Sequence, residues 1–136
     1  MALTRRFRAE LETSQAVLDN LEDAVAVFSS AGALTLTNRA YRALWGSDPE
    51  TRLMTTTVKD VTRLWHAQAA PTPTWGDLRE FVEETSDRVE WNAPARHIDG
   101  RSLHCRFIPL SDGGTQVVFS VMGDTSQTAG EMRAAA

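Results

Sequence analysis

Three histidines and one cysteine are the side chains best suited to metal binding or nucleophilic chemistry in this sequence: His66, His97, His104 and Cys105. None of the histidines stands in the acidic, helical setting typical of a phosphate-accepting histidine, and no glycine-rich nucleotide loop is present. His97 and His104 are expected to be diagonal neighbours on adjacent strands, but two ligands without a third make a weak metal site. We therefore predict no catalytic residue and no bound metal.

A second kind of chemistry would use Tyr41, Trp65 and His66 together with an acidic residue. These side chains would line the pocket of a small cone-like α+β enzyme, or of a ligand-binding protein with an aromatic pocket. Catalysis there needs a positioned acid and base, and the sequence contains no convincing pair. A non-catalytic chain is the main prediction, and the cone-like protein is the alternative.

Length and composition limit the classes of protein that remain. The chain has 136 residues, 42% of them hydrophobic, which is enough for one folded domain. With 14 basic and 18 acidic side chains it lacks the basic stripe that nucleic-acid binding leaves. No apolar run reaches membrane-spanning length, the N-terminus has no apolar signal core, and Cys105 cannot form an internal disulfide. We expect a cytoplasmic globular protein without a nucleic-acid partner or a membrane span in this chain.

The acidity is concentrated in one stretch. Residues 77–90 hold six acidic and two basic side chains, and 2 − 6 = −4 equals the net charge of the whole chain. This stretch is either a solvated face or a surface on which a basic partner docks.

Residues 4–21 have the heptad spacing of an amphipathic helix. Its apolar side follows Phe7, Leu11, Leu18 and Leu21, with Ser14 as the polar member of the series. Such a helix can cover its own domain or form the seam of a homodimer, and both interpretations stay open.

After residue 21 the spacing of the apolar residues changes from that of a helix to that of strands, and then back to that of helices. Residues 24–28 and 34–37 alternate as a β-hairpin, and Asn38 is a predicted N-cap for a helix over residues 39–45 that Gly46 ends. Two further helices are predicted from possible capping boxes, Thr57 with Asp60 and Thr74 with Asp77, the second helix covering about residues 75–86.

The last third of the chain predicts three strands, over residues 88–98, 102–110 and 115–122. If Asp99-Gly100 and Asp112-Gly113 are two-residue turns, one sheet face is the core and the other carries an apolar patch that the N-terminal helix must cover. The predicted core side chains are Ile98, Leu103, Cys105, Phe107, Val118 and Met122. The predicted outer side chains are Trp91, His97, His104, Arg106, Ile108, Val117, Phe119 and Val121, so Phe119 joins the helix residues as a candidate for the dimer interface.

This element order indicates an α+β fold, in which a five-stranded antiparallel sheet carries short helices on one face. The expected organisation is an N-terminal amphipathic helix over residues 1–21, the domain over residues 22–123, and a tail or linker over residues 124–136.

Several short motifs, taken in order, resemble a PAS domain of the kind found in bacterial sensor histidine kinases. The resemblance covers about residues 17–122 and rests on residues 17–28, the turn at Gly32, residues 38–41, residues 44–46, residues 99–103 and residues 109–115. It implies a five-stranded PAS-like fold and a non-catalytic sensory or dimerisation module of a two-component protein, whose kinase activity resides elsewhere. Val121-Met122-Gly123 replaces the Asp-hydrophobic-Thr exit motif common in such domains, so the link to an output helix differs here.

PAS domains can hold flavin or haem, and the sequence supports neither. The reactive cysteine of the flavin-photochemistry type lies in a short helix, whereas Cys105 falls on a predicted strand. An axial haem histidine usually comes from the long helix, which has none here, and His66 is a poor substitute. We predict no cofactor.

An apolar cavity between sheet and helices is the predicted ligand site, unless the same residues simply fill the core. Its candidate lining is Phe28, Tyr41, Leu44, Trp45, Leu64, Trp65, Phe81, Leu103, Cys105 and Phe107. The expected mechanism is a change in the packing of the N-terminal helix, and of the chain that leaves Asp124, when a small apolar ligand or a signalling partner protein binds. A docking module without a small ligand is the remaining possibility.

Overall fold

The computed structural model describes residues 15–46, 56–84 and 86–122. The chain is helical over residues 15–19 and then forms five strands and three helices within the described residues. These are β1 Ala24–Phe28, β2 Leu34–Thr37, α1 Arg39–Trp45, α2 Val58–Gln68, α3 Thr74–Glu83, β3 Trp91–Arg96, β4 Ser102–Pro109 and β5 Thr115–Val121. The predicted bounds of β1, β2 and α1 are confirmed, whereas the predictions for Phe7, Leu11 and Ser14 lie outside the described residues.

The five strands form one antiparallel sheet in the order β2-β1-β5-β4-β3. The buried side chains of α1, α2 and α3 belong to one hydrophobic cluster with those of β1, β4 and β5. This is the predicted α+β architecture. No helix within the described ranges is long and apolar enough to cross a lipid bilayer.

Two of the three predicted N-caps, Asn38 and Thr57, are confirmed, and so is the predicted helix end at Gly46. The side chain of Asn38 accepts from the Tyr41 N–H at the start of α1, and Gly46 ends that helix in the left-handed conformation, with φ of 70°. Thr57 and Asp60 form the predicted reciprocal capping box of α2.

The predicted capping box of α3 is wrong. Pro73 occupies the N-cap position without a side-chain hydrogen bond, and the hydroxyl of Thr74 instead lies 2.9 Å from the hydroxyl of Thr72. The helix ends at Glu83, three residues before its predicted end.

Three hairpin loops share one geometry, and in the last two of them it differs from the predicted two-residue turn. In residues 29–33, 97–101 and 110–114 the first N–H donates to the last carbonyl over 2.8–2.9 Å. The fourth residue of each loop is a glycine with positive φ: 83° at Gly32, 98° at Gly100 and 90° at Gly113. Three residues, instead of two, therefore lie between the hydrogen-bonded ends of each loop. This is the geometry of a turn followed by a glycine bulge.

This extra residue shifts the predicted pairing by one, so the side chains of β3 and β5 exchange faces. The predicted core residues of β4, Leu103, Cys105 and Phe107, are buried as expected. Trp91 pairs with Phe107 and stacks on its ring at 4.1 Å, and Cys105 pairs with Phe119. Phe119 has an exposed fraction of 0%, so this predicted dimer-interface residue belongs to the core.

Further face assignments in β3, in β5 and next to them change for the same reason, while those of β4 do not. Val117 and His97 are buried, whereas His104 is exposed, so the two histidines do not lie on one face. Ile98 and Met122, expected in the core, are exposed. Because Trp91, Val117 and Phe119 face inward, they form no outer apolar patch for the N-terminal helix to cover.

Candidate functional site: an aromatic core joined to the N-terminal segment

Trp65 of α2 lies at the centre of an aromatic core between the sheet and the helices. Its side chain is fully buried, and its ring contacts five other aromatic rings at centroid distances of 5.0–6.4 Å. The five are Phe28, Tyr41, Trp45, Trp75 and Phe119. Most of these contacts are edge-to-face, the arrangement that aromatic pairs favour.

The ten predicted pocket residues all belong to the core or pack against it. Eight are buried, and Leu64 and Phe81 are partly buried against the same cluster. Trp75, His97 and Phe119 also belong to this aromatic group, although they were not predicted as pocket residues. The helical spacing of Trp75, Leu78 and Val82 could have identified the first, whereas His97 and Phe119 depend on the sheet register.

Some polar atoms in this core have a hydrogen-bond partner and others have none. Trp65 Nε1 donates to the Tyr41 hydroxyl over 3.1 Å. Trp45 Nε1, Trp75 Nε1 and His97 Nε2 are buried and have no hydrogen-bond partner among the described residues. The Trp45 ring lies 6.3 Å from that of Trp75 and 5.5 Å from that of His97, so the three nitrogens belong to one group of touching rings.

The other ring nitrogen of His97 faces the β3–β4 loop. Nδ1 lies 3.2 Å from both the backbone nitrogen and Oδ1 of Asp99. The core therefore contains two unpartnered indole N–H donors, beside the unpartnered Nε2 of His97. A buried donor without a partner costs about 1–3 kcal/mol, which a ligand or water with an acceptor atom would recover.

Cys105 and His66 do not fit catalytic or cofactor roles. The Cys105 thiol lies in β4 with an exposed fraction of 0%, and burial raises its pKa to about 12, so it packs as a neutral side chain. It does not occupy the helical position of a flavin-reactive cysteine. His66 is exposed on α2, while Tyr41 and Trp65 are buried, so the structure does not bring the three together as a reactive site.

Asn38 connects the core-facing helix α1 to the segment that precedes the sheet. Its Oδ1 accepts from Val25 N–H over 2.9 Å and from Tyr41 N–H over 3.0 Å. Its Nδ2 donates to the carbonyls of Leu18 and Asp23 over 2.8 and 2.9 Å. All of these bonds are made by a side chain with an exposed fraction of 0%. The sequence predicted its role as a cap, but not the link to residues 15–23, which we call the N-terminal segment.

Asp19 adds a second connection between this segment and α1. Its Oδ1 accepts from Arg39 N–H over 2.9 Å and from Gln15 Nε2 over 3.2 Å, and lies 3.5 Å from Arg42 Nη2. Desolvation acts to raise the pKa of Asp19, but the hydrogen bonds from Arg39 and Gln15 and the charge of Arg42 lower it overall. The Asp19 carboxyl group is therefore ionised when it binds the N-terminal segment to α1.

Two candidate interface residues lie within the segment. Leu18 is half-buried and Leu21 is 45% exposed, so only Leu21 offers much surface to another chain.

Helix α1 thus spans from the core to the N-terminal segment. At its C-terminal end, Trp45 contacts the rings of Trp65, Trp75 and His97, and its carbonyl accepts from Gln68 Nε2 over 2.9 Å. At its N-terminal end, Asn38 fastens the segment. Seven residues of α-helix cover about 10 Å, so one rigid element connects the two regions.

Comparison with known proteins identifies the fold. A family model described as a PAS fold matches residues 18–128. This chain belongs to the PAS family. The family resemblance predicted from the motifs is therefore confirmed, and the strand order and the aromatic core can be read as those of a PAS domain.

Relatives of the PAS domain include signalling proteins. The chain is 31% identical over 127 residues to the sensor protein DivL of Caulobacter vibrioides. The matched region covers 92% of this chain and 16% of the length of DivL. Among solved structures, the PAS domain of BvgS from Bordetella pertussis has a TM-score of 0.59 at 15% identity, covering 95% of this chain and 94% of that one. A phage VqmA in complex with DPO has a TM-score of 0.60 at 15% identity, covering 93% and 59%. The two structures support the fold alone.

Proposed function

We propose that this PAS domain is a non-catalytic sensory and dimerisation module of a cytoplasmic two-component protein of the sensor histidine kinase type. The family and the similarity to the sensor protein DivL support a signalling role. In this proposal any kinase activity belongs to another part of the signalling protein.

The observation that carries the proposal is the position of α1. Trp45 at one end lies beside the unpartnered nitrogens of the core, and Asn38 at the other end binds the carbonyls of Leu18 and Asp23. A ligand that moves Trp45 therefore acts on a helix that also holds the N-terminal segment.

The proposed mechanism is a population shift between two packings of α1 and the N-terminal segment. A ligand changes their balance only if it binds one packing more tightly. Acceptor atoms facing Trp45 and Trp75 provide that difference, because the indole donors of these two residues are unpartnered in the packing described here. The expected ligand is small, mostly apolar, and carries a carbonyl or a similar acceptor.

Indole N–H resonances in a 15N-correlated NMR spectrum test the ligand part of the proposal. Benzamide is the probe, and toluene is its matched control without an acceptor. We expect benzamide to shift the Trp45 and Trp75 indole signals, while the Trp65 signal moves less because its N–H already donates to Tyr41.

Failure has a defined meaning in this titration. Equal shifts with benzamide and toluene, or no saturable shift across a panel of small aromatic carbonyl compounds, would contradict an acceptor-binding core. A docking module without a small ligand would then replace the sensory function.

The dimerisation part rests on the heptad spacing of Phe7, Leu11, Ser14, Leu18 and Leu21. Sedimentation velocity of the full chain should show a dimer that the double substitution Phe7→Glu and Leu11→Glu converts to a monomer. Val89→Glu is the matched control, because Val89 is 77% exposed and lies outside the heptad. A monomeric unmodified chain would overturn this part of the proposal.

A further inference from the structure

A basic groove lies on the helical side of the domain, between α2 and α3. Its lining includes Arg63 and His66 from α2, Gly76 and Arg79 from α3, and Thr72 from the connection between the helices. Its volume is about 460 Å³, which falls within the range of small-molecule sites. No acidic side chain is among the described residues that line it. We call this cavity the α2–α3 groove.

The two guanidinium groups of the groove have no carboxylate partner within the described part of the chain. Three other arginines are paired, Arg42 with Asp19, Arg101 with Asp99 and Arg106 with Glu90. By contrast, Arg63 and Arg79 form no ion pair with any residue that the structure describes, and both side chains are exposed.

The guanidinium of Arg79 lies beside the glycine one turn earlier. A Cβ at Gly76 would lie 3.6 Å from Arg79 Nη2, so the guanidinium extends back over this residue at the groove. Arg63 and His66 approach from the facing helix, one turn apart. Positive charge therefore comes from both walls in a chain whose net charge is −4.

We propose that the α2–α3 groove binds a dianionic oxyanion, the phosphate group of a small phosphomonoester. Two guanidinium groups balance the charge of about −2 on such a phosphate near neutral pH. The planar N–H pairs of arginine match phosphate oxygens in geometry, and His66 supplies a further polar group on the same wall. The volume leaves room for the organic part of the ester. Trp75 of the aromatic core also lines the groove, but the inference does not rest on the proposed function.

Isothermal titration calorimetry of the full chain tests the site. Inorganic phosphate and phenyl phosphate are the probes, each at constant ionic strength, with benzoate as a monoanion of similar shape. We expect saturable binding of both phosphates and weaker binding of benzoate. Tighter binding of phenyl phosphate than of inorganic phosphate would indicate an ester as the ligand, whereas equal affinities would indicate a site that recognises the phosphate group alone. Both results support the proposal.

A charge-matched pair of variants separates the groove from general electrostatic attraction. The double substitution Arg63→Gln and Arg79→Gln should weaken phosphate binding at least about tenfold. Arg39→Gln with Arg96→Gln removes the same charge from exposed residues outside the groove and should leave affinity within about twofold. Absence of saturable binding, or equal weakening by both double substitutions, would overturn the proposal.

Discussion

The Nε1 of Trp65 donates a hydrogen bond of 3.1 Å to the hydroxyl of Tyr41, and both side chains have an exposed fraction of 0%. This bond joins α2 to α1 inside the apolar layer. Among the indole nitrogens of the aromatic core, that of Trp65 is satisfied, whereas those of Trp45 and Trp75 are not. The core therefore contains one hydrogen-bonded polar pair directly beside two unpartnered indole donors.

Removing the Tyr41 hydroxyl should destabilise the domain. Tyr41→Phe keeps the ring but leaves Trp65 Nε1 without this acceptor in an apolar environment, at an expected cost of about 1–3 kcal/mol. Urea denaturation gives the free energy of unfolding. Thr35→Val is the control, because it removes an exposed hydroxyl that donates to the Val27 carbonyl, and it should cost less than about 0.5 kcal/mol. Equal effects of the two substitutions would contradict the role of the buried bond.

Asn38 should be less replaceable than an ordinary cap residue. Asn38→Ala loses two accepted and two donated hydrogen bonds, so its expected cost is about 3 kcal/mol or more, above the 0.5–2 kcal/mol of a typical N-cap. Asn38→Asp keeps the oxygen that caps α1 but places a second oxygen against the carbonyls of Leu18 and Asp23. Thermal or urea unfolding should therefore show Asn38→Asp to be destabilised as well. A stability close to that of the unmodified chain for Asn38→Asp would show that the bonds to the N-terminal segment contribute little.

Arg88 fastens the chain that leaves α3 to the β4–β5 hairpin. Its guanidinium donates to the Phe81, Gly113 and Gly114 carbonyls and to the Thr115 hydroxyl at 2.6–3.1 Å. Arg88→Lys cannot reproduce this planar set of donors and should cost about 1–3 kcal/mol in urea unfolding.

Arg106 provides the matched control for Arg88. Its bond to Glu90 is an exposed ion pair, so Arg106→Lys should change the free energy of unfolding by less than about 0.5 kcal/mol. If the lysine substitution were equally mild at both positions, Arg88 would be a solvated side chain without a structural role.

Asp99 gives a pH-dependent signature of the β3–β4 loop. Hydrogen bonds from the Arg101 side chain and backbone lower the pKa of Asp99 to about 2. Because the folded-state pKa lies below the unfolded value of about 3.9, this contact stabilises the fold above about pH 4. That contribution is lost as the pH falls from about 4 to 2.

Carboxyl 13C NMR should report the pKa of Asp99 directly. Arg101→Gln should raise it toward the ordinary value, while Arg106→Gln should leave it unchanged. A pKa that stays near 2 in Arg101→Gln would assign the effect to another neighbour.

The features that sequence predicted well depend on local chemistry. The alternation in β1 and β2 and the cap residues Asn38 and Gly46 act within a few residues, so their bounds follow from the sequence. The register of the last three strands does not, because Asp-Gly fits both a two-residue turn and a longer loop with a glycine bulge. Asp99 Oδ1 accepts from Arg101 N–H, and Asp112 Oδ1 accepts from Gly114 N–H. These bonds are typical of Asx turns and favour the longer loop.

The candidate site was predictable in part for the same reason. Tyr41, Trp45 and Trp65 follow from helical spacing, which places them on the buried sides of α1 and α2. His97 and Phe119 required the correct register. The connection from Asn38 to Leu18 joins residues 20 positions apart, and no local pattern predicts such a contact.

Amide hydrogen exchange tests the coupling of the core to the N-terminal segment most directly. Trp45→Phe and Trp75→Phe each remove one unpartnered indole N–H from the core, but only Trp45 lies on α1. Trp45→Phe should speed exchange of the Val25 and Tyr41 amides, which Asn38 holds, more than exchange in the β3–β4 hairpin. Trp75→Phe should show no such preference. The same exchange pattern in both variants would contradict transmission through α1.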